Sequence, residues 1–89
     1  MRRKINFKGR VQGVGFRRHT KEALHAFAVT GYVKNLSNGT VEILLEGRRG
    51  EVVASTKVVE ERMRGYWTSR EWEDSQEEEY HWSEFSIQY

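Results

Sequence analysis

The 89-residue sequence contains no cysteine, no proline and no long apolar segment. Without cysteine the chain cannot form a disulfide, a thiolate metal site or a thiol nucleophile. No apolar run approaches the roughly 18 residues of a membrane span, and Met1–Lys4 leads into alternating residues instead of a signal-peptide core. We therefore expect residues 1–89 to form a single domain that is soluble, cytoplasmic and independent of any membrane.

The charge is nearly balanced, at +2, but it is unevenly distributed. Residues 1–21 contain eight Lys or Arg and no acid, whereas Glu73–Glu79 contains five acids and no base. This small net charge does not by itself argue for nucleic acid, yet the separation gives the molecule a positive and a negative end. We expect Arg2–Lys4 to be a solvated terminus and Glu73–Glu79 to be a solvated loop.

Gly9–Arg17, the glycine loop, reads GRVQGVGFR and lies between an alternating segment and a helical pattern. Its three glycines allow dihedral angles that other residues avoid, so consecutive N–H groups can turn toward an anion at the start of a helix. Neither the dinucleotide fingerprint nor the P-loop is matched, since Arg18 takes the place of the third glycine and no Gly-Lys-Ser/Thr follows. The loop is a candidate anion cradle, although an ordinary tight turn has the same local pattern.

Hydrophobic periodicity gives the order strand, helix, strand, strand, helix, strand. The first helix should end near Val29–Thr30, with Gly31 as its C-terminal signal. Asn38-Gly39 is a strong hairpin signal, because both residues tolerate positive φ. Tyr66–Trp72 is ambiguous and could add a further strand. The other segments are Lys4–Lys8 as the first strand, Tyr32–Leu36 and Val41–Glu46 as the hairpin strands, Val52–Met63 as the second helix and Phe85–Tyr89 as the closing strand.

This order predicts an α+β fold, the ferredoxin-like split βαβ sandwich, with an antiparallel sheet of four to five strands and two helices on one face. Right-handed crossovers place the first and third strands side by side at the centre of the sheet. The second strand then runs parallel to the first, which can bring Asn35 near Arg17.

Two segments resemble signatures of the acylphosphatase family. The glycine loop is similar to the first signature, and Gly31–Val41, which reads GYVKNLSNGTV, is similar to the second. The separation of the two segments also resembles that of the family. Together with the closing FSIQY of Phe85–Tyr89, the resemblance covers nearly the whole chain. It implies the same ferredoxin-like fold that the order of the elements predicts.

The resemblance implies hydrolysis of the carboxyl-phosphate bond of an acyl phosphate to a carboxylate and inorganic phosphate, without a metal or other cofactor. Arg17 would bind the phosphate, and Asn35 would position the attacking water. Backbone amides of the glycine loop would form the phosphate cradle. These substrate-binding residues are Gln12, Gly13, Val14, Gly15 and Phe16.

The second half of the chain departs from the family pattern. The Gly-Pro that often precedes the second helix in the family is absent, and Trp67, Trp72, Trp82 and the acidic run are unusual. Gly15 stands where many members carry a second aromatic residue. The departures in the second half concern the region of the fourth strand and the substrate preference, not the two signatures.

Two other functions are compatible with this fold. RNA-recognition domains share it, but they need aromatic residues on their central strands, and Val41–Glu46 offers none and carries two glutamates. A domain that has lost catalysis could serve in regulation or binding, because fold does not determine function. The presence of Arg17 and Asn35 argues against that alternative.

A similar domain forms the N-terminus of some larger carbamoyl-transferring maturation proteins, but this chain has no cysteines for the zinc motifs that follow there. We therefore expect a free-standing, monomeric enzyme that acts on a small-molecule acyl phosphate and binds no nucleic acid. The histidines do not have the spacing of metal ligands, so no metal site is expected. They are His19, His25 and His81.

Overall fold

The structure is a computed structural model that describes residues 1–76 and 79–89. In chain order its described elements are β1 (Arg2–Gly9), α1 (Phe16–Leu24), β2 (Val29–Asn35), β3 (Val41–Gly47), α2 (Arg49–Arg62), β4 (Trp67–Ser75) and β5 (Phe85–Gln88). The predicted succession of strands and helices is confirmed. The ambiguous segment Tyr66–Trp72 supplies most of the additional strand, β4.

The strands form one sheet in the order β4-β1-β3-β2-β5. β1 and β3 lie side by side, as predicted, and β2 has the same direction as β1 because both pair antiparallel with β3. The expectation of a wholly antiparallel sheet is wrong in one detail, since β5 pairs parallel with β2 and the sheet is mixed. The α+β ferredoxin-like fold itself is confirmed.

Alternate residues of the central strands face the two helices and form the core, as the period of a strand requires. Both helices pack on this face, since Leu24 of α1 and Val59 of α2 belong to the same buried cluster as the strand residues. The two helices also contact each other, because Arg62 of α2 donates to Glu22 of α1 at 2.9 Å. Neither of these described helices is long and apolar enough to cross a membrane. The fully buried apolar side chains include Ile5, Phe7, Val11, Val33, Val41, Ile43, Leu45 and Val52.

α1 is shorter than the sequence predicts. It ends at Leu24, and Val29–Gly31 belongs to β2. Two β-branched residues in that segment favour extended backbone. Gly31 is not a helix stop: a Cβ at this position would lie 1.9 Å from the carbonyl oxygen of Leu44. Glycine is needed there because the backbone of β3 approaches closely.

β4 replaces the first part of the predicted acidic loop. It is an edge strand that pairs with β1, so Glu73–Ser75 lies in the sheet, with Glu73 opposite Lys4 and Asp74 opposite Arg3. Opposite charges that face each other across strands stabilise the pairing. Glu77 and Glu78, which the loop prediction also covered, lie outside the described residues.

The N-terminal basic segment is not a solvated terminus. Arg3 is only 6% exposed. Its guanidinium donates to both carboxylate oxygens of Asp74, at 2.7 and 2.9 Å. Hydrogen bonds from Arg3 stabilise the ionised carboxylate and lower the pKa of Asp74 below its ordinary value.

The sheet face away from the helices is partly covered by the segment that precedes β5. Glu46 is 1% exposed, and its Oε1 accepts hydrogen bonds from the backbone N–H groups of His81 and Trp82 at 2.9 and 3.0 Å. Its Oε2 accepts from Arg2 at 2.7 Å. The Trp82 ring packs edge-on against Tyr32, with 5.2 Å between centroids. On this face of the sheet, which we call the open sheet face, the Tyr32 ring is therefore partly covered by Trp82.

Candidate active site

The glycine loop connects β1 to α1 and depends on left-handed backbone. Gly13 and Gly15 have φ values of 79° and 77°, and Gly15 is the residue immediately before α1. A residue with a Cβ would be strained at such angles. The glycines therefore allow the chain to turn sharply from the end of β1 into the first turn of α1.

The first turn of α1 presents backbone donors. The first α-helical hydrogen bond of this helix runs from His19 N–H to Gly15 O at 2.9 Å. The N–H groups of Phe16, Arg17 and Arg18 precede it, and the first N–H groups of a helix have no acceptor within that helix. Together with the positive end of the helix dipole, they form an environment that favours an anion.

Arg17 is half-buried in this first turn. One of its guanidinium nitrogens donates to the carbonyl oxygen of Gln88 at 3.1 Å, and its Cζ lies 4.8 Å from the centre of the Tyr89 ring. Among residues 1–76 and 79–89, no carboxylate forms an ion pair with Arg17. The side chain is thus oriented by neutral groups, while its charge and most of its five N–H donors remain available.

Asn35 is the last residue of β2 and pairs with Val41 across the hairpin. It lines a depression of about 170 Å³ together with Arg17. Arg17 and Asn35 line the same depression because β2 runs in the same direction as β1. The C-terminal end of β2, where Asn35 lies, is therefore beside the glycine loop, which follows the C-terminal end of β1. The whole lining comprises Val11, Gly13, Gly15, Phe16, Arg17, Arg18, Asn35, Ile87 and Tyr89.

Two of the predicted substrate-binding residues do not line this depression. Val14 is partly buried and packs against the core. The side-chain amide of Gln12 donates to the carbonyl oxygens of Leu36 and Thr40, at 2.8 and 3.0 Å. Gly13, Gly15, Phe16, Arg17 and Asn35 do come together.

Sequence reasoning missed the contribution of the chain's last strand. Ile87 and Tyr89 line the depression, and the carbonyl of Gln88 orients Arg17. These residues reach the site because β5 pairs parallel with β2. The alternation of Phe85, Ile87 and Tyr89 predicted a half-buried strand, and Phe85–Gln88 are half-buried, but Tyr89 is exposed. No local pattern shows which strand this segment joins.

The surface beside the depression is positive. Arg18 also lines it, and the nearest carboxylate oxygen of Glu22 lies 3.9 Å from its Nε. Glu22 also accepts a hydrogen bond from Arg62 at 2.9 Å, so its charge is shared between two arginines. Within the described part of the chain, no three His, Asp or Glu side chains are grouped to hold a metal. The geometry is suited to a small oxyanion.

A family model described as acylphosphatase matches residues 3–87. The chain belongs to the acylphosphatase family. An acylphosphatase of Syntrophus aciditrophicus is 54% identical over 50 residues, which cover 56% of this chain and 52% of that protein. The chain thus spans about half the length of the curated relative that it matches.

Solved structures extend the likeness to the whole chain. The crystal structure of an acylphosphatase from Bacillus subtilis matches with a TM-score of 0.88 at 32% identity, and the match covers 99% of this chain and 98% of that one. A crystal structure of full-length HypF in a phosphate- and nucleotide-bound form matches with a TM-score of 0.83 at 26% identity. That match covers 97% of this chain but only 11% of HypF, so the fold also occurs within a much longer protein.

Proposed function

We propose that this acylphosphatase-family chain hydrolyses acyl phosphates to a carboxylate and inorganic phosphate. The observation that carries the proposal is the meeting of Arg17, which has no carboxylate partner among the described residues, with Asn35 and the glycine loop in one small depression. Charge, backbone donors and a neutral amide are the groups that such a reaction needs.

The reaction needs little acid-base chemistry. The leaving group is a carboxylate, which departs as a weakly basic anion, so no general acid has to protonate it. Phosphoryl transfer is accelerated mainly by positioning and by electrostatic stabilisation of the transferring group. A site without a nucleophilic cysteine or an activated serine is therefore sufficient.

Arg17 holds the phosphoryl group in this mechanism. A planar guanidinium donates two parallel hydrogen bonds to phosphate oxygens, which a lysine ammonium cannot do. Because the Gln88 carbonyl accepts from one nitrogen, the plane of the Arg17 guanidinium is fixed before substrate arrives. Prior orientation lowers the entropy lost on binding.

The glycine loop supplies the rest of the phosphate site. Backbone amides from Gln12 to Phe16, next to the start of α1, donate to the remaining phosphate oxygens. Donors fixed in the backbone do not have to reorganise as charge shifts during the reaction. Among the described residues, no acidic side chain lines the depression, which favours an anionic substrate.

Asn35 positions the water that attacks phosphorus. The side-chain amide can accept a hydrogen bond from this water through Oδ1 and donate to the phosphate through Nδ2. Unlike aspartate, asparagine adds no negative charge beside an anionic substrate. Among the described residues no protein group is hydrogen-bonded to the Asn35 side chain, so both ends of the amide are available.

Phosphate release from acetyl phosphate, with EDTA present, tests the proposal. We expect the parent protein to hydrolyse it without added metal. Asn35→Ala should lose on the order of 10³ in rate yet still bind inorganic phosphate, whereas Arg17→Ala should lose both rate and phosphate binding. Arg48→Ala, at an exposed arginine outside the depression, is the matched control and should behave as the parent.

A folded parent protein that releases phosphate no faster than the uncatalysed reaction would contradict the proposal. The chain would then be an acylphosphatase-like domain that binds anions without hydrolysing them. Equal losses of phosphate binding in Arg17→Ala and Asn35→Ala would instead contradict the separate roles of the two residues.

The substrate and setting are part of the same proposal. We infer that the substrate is a small-molecule acyl phosphate. We also infer no resident metal or other cofactor, because the carboxylate leaves without being protonated. We also infer a monomeric, cytoplasmic enzyme that does not act on nucleic acid. On the open sheet face, Tyr32 packs against Trp82 and donates its hydroxyl to Glu42 at 2.7 Å, so its ring is not free to stack on a base.

A further inference from the structure

Gln12 belongs to the glycine loop, but its side chain is directed to a different element. Its amide nitrogen donates to the carbonyl oxygen of Leu36 at 2.8 Å and to that of Thr40 at 3.0 Å. Both acceptors belong to the turn between β2 and β3. Two donors of one exposed side chain are therefore used to connect the loop to that turn.

The two carbonyl groups are fixed independently of Gln12. Thr40 O also accepts from the N–H of Leu36 at 2.9 Å, and Leu36 O accepts from the N–H of Gly39 at 3.1 Å. A carbonyl oxygen has two lone pairs, so Gln12 uses the second acceptor position of each. Asn35 immediately precedes Leu36 in the chain. Gln12 is therefore bonded one residue away from the side chain assigned to the attacking water.

The rest of the loop has few other attachments. In residues 1–76 and 79–89, the hydrogen bonds of Gln12 are the only side-chain hydrogen bonds that join residues 10–15 to another element. Arg10 is attached through its backbone to Tyr66 O at 2.7 Å, and Val11 is buried in the core. A Cβ on Gly13 would meet no atom within 4 Å, so no other element packs against Gly13 on that side, and Val14 is the next residue that packs against the core.

We propose that Gln12 is a positioning residue for the reaction, one that sets the distance between the loop amides and Asn35. The inference rests on the proposed function, because it assigns the loop to the phosphate and Asn35 to the water. The side chain of Gln12 acts through these two groups and does not itself touch the substrate. Its side chain does not line the depression.

The physical reason is the narrow geometry of in-line attack. Water and phosphorus must approach to about 3–3.5 Å with the breaking bond aligned, and a misplacement of about 1 Å commonly costs on the order of 10² in rate. Loop and hairpin are separate elements, so each could shift relative to the other without unfolding. The two hydrogen bonds of Gln12 remove that freedom.

Gln12→Met tests the proposal, since methionine has nearly the same length and no hydrogen-bond donor. We expect kcat for acetyl phosphate to fall about 10- to 100-fold. The inhibition constant of inorganic phosphate should change less than about threefold, because Arg17 and the loop amides remain. Asn6→Ala is the matched control: Asn6 donates to Thr40 Oγ1 at 2.8 Å from β1, so the same turn loses a hydrogen bond that does not involve the loop. We expect it to keep the parent kcat.

Gln12→Glu adds a second measurement, the pH dependence of kcat. This pH dependence would not change if the Gln12 side chain had only a structural role. The ionised carboxylate has no donor and is repelled by both carbonyl oxygens, whereas the protonated carboxyl can donate to one of them. The two carbonyls favour the neutral form and raise the pKa of the introduced carboxyl. The ratio of variant to parent kcat should therefore increase as the pH falls from 7 toward about 4.5.

The outcomes separate this inference from the proposed function. An active parent, with Gln12→Met slowed and phosphate binding retained, supports it. If the parent is active and Gln12→Met has the same kcat, the positioning role is wrong while the proposed function stands. A parent that hydrolyses nothing overturns both. A ratio for Gln12→Glu that is independent of pH would contradict the role assigned to the hydrogen bonds.

Discussion

Arg3 and Arg17 both lie in residues 1–21, which contain no acidic residue, yet their guanidinium groups have opposite surroundings. Arg3 is buried, donates to both oxygens of Asp74 and to Thr56, and lies 4.4 Å from the centre of the Trp72 ring. Arg17 donates to one backbone carbonyl and, among the described residues, pairs with no carboxylate. One charge is neutralised within the fold and the other is not.

The comparison of Arg3 with Arg17 shows that an arginine can stabilise the fold at one position and be available to bind an anion at another. A buried arginine whose donors are satisfied contributes to the fold, and removing it leaves a carboxylate without its partner. An arginine held by neutral groups keeps a charge that only an external anion can neutralise. Such an arginine contributes little to the free energy of unfolding, as is common for residues of a binding or active site.

Among the substitutions that test this comparison of arginines, Arg17→Lys should have the largest effect. Arg17→Lys keeps the positive charge but removes the planar pair of donors, so we expect kcat/KM for acetyl phosphate to fall on the order of 10²–10³. The melting temperature should stay within about 2 °C of the parent. Steady-state phosphate release and thermal unfolding monitored by circular dichroism provide the two measurements.

The matched control for this change is Arg48→Lys, at an exposed arginine outside the depression, which should alter neither quantity. Near-parental activity of Arg17→Lys would show that a point charge is enough, and the distinction between the two arginines would then concern charge alone.

Arg3→Met should show the converse pattern. Methionine fills much of the same space, but Asp74 and Thr56 lose their donor, so we expect a loss of about 2 kcal/mol in the free energy of unfolding. The side chain of Asp74 is 34% exposed, so solvent offsets part of the cost. The rate per folded molecule should be unchanged, as measured at a temperature where the variant is fully folded. A lower rate with parental stability would refute the contrast.

Sequence reasoning could not have separated these two arginines, because it left β4 open as a possible strand and did not extend it into the acidic run. The prediction made Arg2–Lys4 a solvated terminus and the acidic run a solvated loop, but Arg3 and Asp74 are cross-strand neighbours. Each segment looks solvated when it is considered alone. The long-range pairing of β1 with β4 is what makes one arginine structural, and periodicity within a segment carries no information about it.

The site was more predictable than the far edge of the sheet because its determinants are local. The glycines of the turn, the hairpin signal at Asn38-Gly39 and the order of elements together place Asn35 beside Arg17. What the sequence did not show is again pairing at a distance: Ile87 and Tyr89 enter the site through β5, which joins β2. The turns could be predicted from local sequence, whereas the positions of the edge strands β4 and β5 in the sheet could not.

The ion pair of Arg3 also predicts a pH dependence of stability. Hydrogen bonds from Arg3 lower the pKa of Asp74 in the folded state, so the pair stabilises the fold above the ordinary carboxyl pKa. This stabilisation is lost as the pH falls below about 4 and through the lowered pKa. Asp74→Asn should therefore lower the melting temperature at pH 7. The decrease should be smaller than for Arg3→Met, because the amide oxygen of the asparagine can still accept one hydrogen bond from Arg3. The difference from the parent should become smaller between pH 7 and about pH 2. A difference that is the same at both pH values would show that the contact, not the charge, stabilises the fold.

Arg18 lies between the two extremes and should give the smallest effect. Its side chain is 74% exposed and lines the depression, and Glu22 is only a distant partner at 3.9 Å. An exposed charge attracts an anionic substrate weakly and is screened by salt. Arg18→Gln should thus raise KM about two- to threefold at low ionic strength and leave kcat unchanged, and the increase should vanish above about 0.5 M salt. A salt-independent loss in kcat would instead place Arg18 in contact with the reacting phosphate, and Arg17 would no longer be the single arginine assigned to it.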